Sequence, residues 1–417
     1  MQTTERTTPP TEMLALLEPT MLRGFERHLS AATEWFPHEY VPYEVGRNYV
    51  DEPWEETDSA LGIVSRTALE VNLLTEDNLP YYHLALWEIF GRGGVWGEWV
   101  RRWTAEEGRH AIVLRDYLTV TRGLDPVQLE RGRMDQVSRG YYPDGNGGAR
   151  ALDPLDGVVY TTLQELATRI AHRNTGTFTQ DPIIEKLTAR IATDENLHYV
   201  FYRDLGKAAL EIAPSEMMLA INRQVTGFAM PGLDIPEFKA KAIEIAKAGI
   251  YDLRIHHDEV VLPVLFTHWK IDQVTGLTDE AEQARDGITN YLTMLDAMAS
   301  HYEEKRAARD LELNARVGDP GYPVTTMAAY DYLCMACEHR FEDRRPMTAS
   351  VDTALACPPA AATACAGSSR SSPGPHPRVR ALPTRRAAAR AAAPAPAATD
   401  GASRSNRHRH VATVRRT

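Results

Sequence analysis

Two segments of the chain, WTAEEGRHAIVLRDYL (103–118) and IATDENLHYVFYRDL (191–205), each place a Glu three residues before a His. In a helix, residues i and i+3 share a face, so Glu107 with His110, and Glu195 with His198, project together. Carboxylate and imidazole on one face is a donor set that suits iron among the transition metals. Two further acids stand at matching intervals. Glu76 precedes Glu107 by 31 residues and Glu165 precedes Glu195 by 30. If each interval is a half-helix, a turn and a half-helix back, both acids return to the same height in an antiparallel helix pair. The 58 residues from Glu107 to Glu165 leave room for a crossover between the two pairs.

The elements that would carry these residues are helical by period, with few alternating β-branched runs. The pattern predicts helices over roughly 12–31, 60–90, 95–121, 155–178, 183–212, 215–229, 236–267 and 278–308. GRGG at 91–94 separates two of them, and Asp181 followed by Pro182 supplies an N-cap and a first helical residue. Pro80 lacks the N–H that would reach the carbonyl of Glu76, which predicts a kink or bulge beside that acid. Ferritin-like four-helix bundles with di-iron sites take one Glu from each of two helices and a Glu-x-x-His from each of the other two. The expected fold is therefore all-α, a ferritin-like four-helix bundle core with additional flanking helices. Four carboxylates against two ferrous ions would leave such a buried site formally neutral.

The chain of 417 residues is 43% hydrophobic and 25% charged, as a globular protein is. No run of about 18 apolar residues exists, so no membrane span is expected. The N-terminus has no apolar core of the signal-peptide kind. All four cysteines (Cys334, Cys337, Cys357, Cys365) come late, which excludes a disulfide framework for most of the chain and suits a reducing cytoplasm. The net charge of −11 conceals a split: residues 346–417 hold eleven Arg and two Asp, a balance of +9, leaving −20 for residues 1–345. So acidic a body argues against nucleic acid as a partner. Residues 1–10 read as a flexible lead, 11–345 as the di-iron domain, and the Ala/Pro/Arg-rich 346–417 as a disordered tail. That tail fits a real basic extension or out-of-frame translation of a GC-rich gene equally well. CMACEH at 334–339 lacks further ligands for a zinc knuckle. HHDE at 256–259 reads as a solvated helix face, since adjacent helical residues diverge.

Four segments resemble the ligand segments of one family, the soluble acyl-carrier-protein desaturases of plants and actinobacteria: TEDNLPYYH (75–83), WTAEEGRH (103–110), QELATRIAHRNT (164–175) and ATDENLHY (192–199). HWKIDQVTGLT (268–278) resembles a late helix junction of that family, and the likeness spans about 12–310. The resemblance implies Glu76, Glu107, His110, Glu165, Glu195 and His198 as ligands of two iron ions cycling between Fe2+ and Fe3+. It implies Thr168 beside the oxygen-binding face, and Trp35, His172 and Asp194 on a route for electrons. The chain departs from the plant pattern in having no transit peptide, a shorter interval between the first two ligands, and an unmatched tail.

The resemblance further implies O2-dependent desaturation of a fatty acyl chain carried on acyl carrier protein, with ferredoxin as electron donor and a homodimeric, cytoplasmic enzyme. Leu84, Ile89, Gly157, Val158 and Leu163 are candidates to line the acyl channel. Because acyl carrier proteins are acidic, docking on this acidic body requires a local basic patch, for which Lys239, Lys241, Lys247, Arg254 and Lys270 are candidates. Another ferritin-like di-iron oxygenase, such as an amine N-oxygenase, is the alternative, and a non-catalytic iron-binding protein a more distant one.

Overall fold

A computed structural model describes residues 8–140, 153–229, 232, 235–317, 327–334, 340–346 and 379–382, with side chains through 311. Two compact units divide the chain, Met1–Glu312 and Leu313–Thr417. The first unit is helical: α1 (Pro10–Ala31), α2 (Ile63–Glu76), α3 (Leu79–Phe90), α4 (Gly94–Val120), α5 (Pro126–Arg139), α6 (Pro154–Thr179), α7 (Pro182–Ile212), α8 (Pro214–Thr226), α9 (Phe238–Lys247) and a short α10 (Leu253–Ile255). From α10 the chain continues through two π-helical turns, His256–Val261 and Pro263–His268, before α11 (Asp279–Val317). The four-helix core is α2 with α3, α4, α6 and α7, the closest packing being between α6 and α7; α1 lies along α7 and α4.

Local chemistry explains the ends of the core helices. Asp153 and Asp181 accept hydrogen bonds from the first free N–H groups of α6 and α7, each with Pro at the first helical position. Gly91 and Gly94 take positive φ, 86° and 58°, where the chain reverses from α3 into α4. The helix predicted over 60–90 is two helices. α2 stops at Glu76 and α3 starts at Leu79, which puts Pro80 in a first turn, where its missing N–H costs no helical hydrogen bond. Glu76 therefore ends its helix, turned into the bundle.

The element predicted over 236–267 is likewise broken, by Gly249 at φ 73° and by the π-helical turns. Those turns carry His256 and His257 inward, 8% and 7% exposed, while Asp258 and Glu259 stay in solvent. The reading of 256–259 as a solvated face thus holds for the acids and not for the histidines. α5 was absent from the helical pattern; it is a polar helix, capped by Asp125, that buries little beyond Leu129 and Gln136. Among the described residues no helix is long and apolar enough to cross a membrane.

In the second unit the backbone forms a three-stranded antiparallel sheet of order β2–β1–β3, from β1 (Met327–Cys334), β2 (Arg340–Pro346) and β3 (Val379–Leu382). Met327 pairs with Pro346 and Leu333 with Arg340, while Asp331 pairs with Leu382. The all-α class applies to the first unit, which closes at Glu312, short of the boundary expected at 345. Apart from Pro346 at the end of β2 and the strand β3, the tail expected to be disordered over 346–417 lies outside the described residues, as does most of the CMACEH segment.

Candidate metal centre

The six acids and histidines of the duplicated pattern converge in the middle of the bundle. α2 supplies Glu76, α4 Glu107 and His110, α6 Glu165, and α7 Glu195 and His198, all buried. They form two overlapping clusters, Glu76–Glu107–His110–Glu195 and Glu107–Glu165–Glu195–His198. In each, one ligand atom from every residue lies within 4.8 Å of the others. Glu107 and Glu195 belong to both clusters, while the other four belong to one each. Two four-residue sets that share two carboxylates could hold metal at two neighbouring positions.

The donor atoms face the centre. His110 Nδ1 lies 3.0 Å from Glu107 Oε2, 3.5 Å from Glu195 Oε1 and 3.7 Å from Glu76 Oε2. His198 Nδ1 lies 2.8 Å from Glu107 Oε1 and 3.5 Å from Glu165 Oε2. Glu107 Oε1, Glu165 Oε2 and His198 Nδ1 are buried and close together, yet none makes a hydrogen bond of adequate angle, which a native interior rarely tolerates without an ion or other partner. Burial, reinforced by the charge of Glu195, pushes Glu165 up to about 8. Burial alone would lower the two imidazoles, but the carboxylates around them hold both His110 and His198 well above the ordinary histidine value. So concentrated a set of buried anionic donors fits divalent cations.

A second layer of acids reaches across the bundle. Asp194, just before Glu195 on α7, sits 3.5 Å from His110 Nε2 on α4. Glu106, just before Glu107 on α4, sits 2.9 Å from His198 Nε2 on α7. Each acid thus backs the histidine of the opposite helix and leaves its Nδ1 for the centre. Trp35 Nε1 donates to Asp194 Oδ2 at 2.7 Å, and Arg190 and Arg109 complete its partners. Burial opposes ionisation of Asp194, but His110, the Trp35 N–H and Arg190 hold it at about 2. Trp35 and Asp194 are therefore hydrogen-bonded to each other as one arm, with Asp194 in charge contact with His110.

His172 is not part of that arm. Its Nε2 lies 2.8 Å from Glu76 Oε1, on the side of the site where Thr168 is found. Thr168 donates its hydroxyl to the carbonyls of Gln164 and Glu165, at 3.1 and 3.2 Å. Both residues, with Glu76, line a cavity of about 250 Å³ whose other walls are mainly apolar side chains of α2, α6 and α9 with Ile250 and Tyr251. The five expected channel residues are not on this lining. Leu84 is 43% exposed, because the inward face of α3 is Leu86, Ile89 and Phe90, and position 84 falls opposite. Ile89 instead fills the space over Gly157: a Cβ there would come within 2.8 Å of Ile89 Cγ2. Val158 and Leu163 are fully buried in the core.

Of the expected basic patch, Lys241 pairs with Glu70 at 2.8 Å, and Arg254 is held by Asp296, Asp258 and Glu303. Lys239, Lys247 and Lys270 are exposed. Glu106, His28 and the cavity residues of α9 escaped the sequence reading. The doubled acids at 106–107 and 194–195 were a visible signal for Glu106, whereas nothing in the sequence marked His28, which lies far from the motifs.

A four-helix bundle enclosing two clusters that share two carboxylates, each with one histidine, defines a ferritin-like protein whose buried groups could hold metal. The model of the family described as fatty acid desaturase matches residues 10–317. A Mycobacterium tuberculosis relative named as the acyl-carrier-protein desaturase DesA1 is 44% identical over 312 residues, covering 74% of this chain and 92% of its own. A chloroplastic stearoyl-acyl-carrier-protein 9-desaturase of Oryza sativa is 29% identical, covering 66% of this chain and 72% of its own. The X-ray structure of the acyl-carrier-protein desaturase DesA2 of Mycobacterium tuberculosis superposes with a TM-score of 0.52 at 28% identity, over 65% of this chain and 98% of that one. The chain belongs to the fatty acid desaturase family.

Proposed function

We infer that the protein is an acyl-carrier-protein desaturase that introduces a cis double bond into a saturated fatty acyl chain. The observation that carries this reading is the paired cluster sharing Glu107 and Glu195, with Glu76 opening onto an apolar cavity. The reaction balances as R–CH2–CH2–R′ + O2 + 2 electrons + 2 H+ giving R–CH=CH–R′ + 2 H2O. Two iron ions, held by Glu76, Glu107, His110, Glu165, Glu195 and His198, would supply the oxidising chemistry with O2. The mainly apolar walls hold the acyl chain beside the cluster and exclude water. Thr168, on the cavity wall with Glu76, donates its hydroxyl to the Gln164 and Glu165 carbonyls of its own helix.

The names of the relatives support acyl carrier protein as the substrate carrier. α9 forms one cavity wall with Phe238, Ala242 and Ile245, and the same helix shows Lys239 and Lys247 to solvent. That juxtaposition supports docking of an acidic carrier beside the cavity. Ferredoxin as donor belongs to the proposal, with electrons entering along Trp35, Asp194 and His110. So does a homodimer, supported by the exposed Leu84 of α3 and Met134 of α5. A cytoplasmic location is supported by the absence of cysteine from the first 333 residues.

The test is turnover with ferredoxin, its reductase, O2 and saturated acyl carrier thioesters, the products read by mass spectrometry. Loss of two hydrogens from the carried chain is expected. No such loss from any carrier-bound chain, with turnover of an aromatic amine instead, would overturn it.

A further inference from the structure

The two histidines of the cluster are braced unequally. His110 is backed by Asp194, whose further partners are the Trp35 indole and the guanidiniums of Arg109 and Arg190. His198 is backed by Glu106, and there α1 contributes an imidazole in place of an indole. His28 Nε2 lies 2.9 Å from Glu106 Oε2, the same oxygen that faces His198 Nε2 at 2.9 Å. The other oxygen, Oε1, accepts from Arg102 Nε at 2.6 Å and Arg102 Nη2 at 2.5 Å. A carboxylate offers about four lone-pair sites, so these contacts fill Glu106 completely. His28 is 3% exposed, stacks on His198 with ring centroids 5.6 Å apart and 17° between planes, and meets the edge of Trp99 at 5.0 Å. His28, Glu106 and His198 are themselves a buried cluster of metal-ligating types, yet His198 Nδ1 already faces Glu107 and Glu165.

We propose that His28 is a positioning residue for the metal centre: by holding Glu106 it fixes the tautomer and aim of His198, and so sets the affinity of the Glu165–His198 position separately from the Glu76–His110 position. With the Nε2–H of His198 committed to a carboxylate that cannot rotate, the Nδ1 lone pair is left to a metal. Without His28, one lone pair of a buried carboxylate is open, Glu106 can swing about its bond to Arg102, and His198 loses its fixed aim. Outer partners of this kind alter metal affinity by about 10–100-fold. The proposal rests on reading the cluster as a two-metal site, and the experiment separates the two ideas.

Metal-depleted full-length protein is titrated anaerobically with ferrous ion, followed by Mössbauer spectroscopy of 57Fe-loaded samples, for wild type, His28→Ala and His28→Gln. Wild type is expected to take two ions at two distinguishable positions. His28→Ala should weaken one of them by about tenfold and change that position's quadrupole doublet while sparing the other. His28→Gln, whose side-chain amide can still donate to Glu106, should restore both affinity and spectrum. Unfolding of each metal-free variant is followed in parallel. Wild-type affinity and spectrum in His28→Ala would overturn the positioning role, and equal losses in the Ala and Gln variants would reduce His28 to packing. A folded wild type that takes no ferrous ion would overturn the two-metal reading itself.

Discussion

Glu195→Gln should make the metal-free protein more stable at neutral pH while removing its capacity to hold two ions. In the unfolded chain the Glu165 carboxyl ionises near 4.5, but in the bundle it keeps its proton up to about 8, pushed there by burial and then by the charge of Glu195. Between those values the native state binds more protons than the unfolded state, so stability falls as pH rises. At about 1.36 kcal/mol per unit, the cost accumulated between pH 4.5 and 7 is on the order of 3 kcal/mol. Removing the Glu195 charge leaves the larger contribution of burial, so the variant should recover on the order of 1 kcal/mol at about pH 7. Glu195, which is also raised by burial and by Glu107, acts in the same direction. Urea unfolding of chelator-treated protein from about pH 5.5 to 8 reads this directly as the slope of stability against pH. Added ferrous ion should stabilise wild type most at the upper end, where an ion replaces the proton, and the variant much less. Metal-free stability that is flat or rising across that window, or a Gln variant weaker than wild type at about pH 8, would refute the reasoning.

Thr168→Ala should keep both metal ions, since the hydroxyl bonds only to backbone carbonyls of its own helix, but should lower product formed per O2 consumed, measured by oxygen electrode against product mass. Lys239→Glu with Lys247→Glu should raise KM for acyl carrier thioesters with little change in kcat, and added salt should act on wild type in the same way. Truncation after Val317 should leave the first unit folded, because that unit closes at Glu312 and the family match ends at 317. The thermal midpoint should then stay within a few degrees, and its collapse would show that the second unit supports the bundle.

Residue type and spacing carried most of the metal centre. Glu107 and His110 share a face by helical period alone, as do Glu195 and His198, and the near-equal intervals of 31 and 30 residues to Glu76 and Glu165 place all six at similar heights wherever the helices run antiparallel. Pro80 announced the break that turns Glu76 inward, since a residue without an N–H costs a helix interior one of its hydrogen bonds and favours a first turn. These are local rules, and a chain read in one dimension obeys them. What lies opposite what is a different matter. That Glu106 backs the histidine of α7 and Asp194 that of α4 depends on how those helices face each other. His28 joins the site only because α1 packs across α4 and α7, some eighty positions from the acid that it holds. His172 turned to Glu76 rather than to the Trp35 arm, and the cavity formed against α9 rather than beside Gly157, where Ile89 had already filled the space. Side-chain period sets the direction in which a residue leaves its own helix, whereas a partner or an empty volume exists only between helices, and their mutual packing decides it.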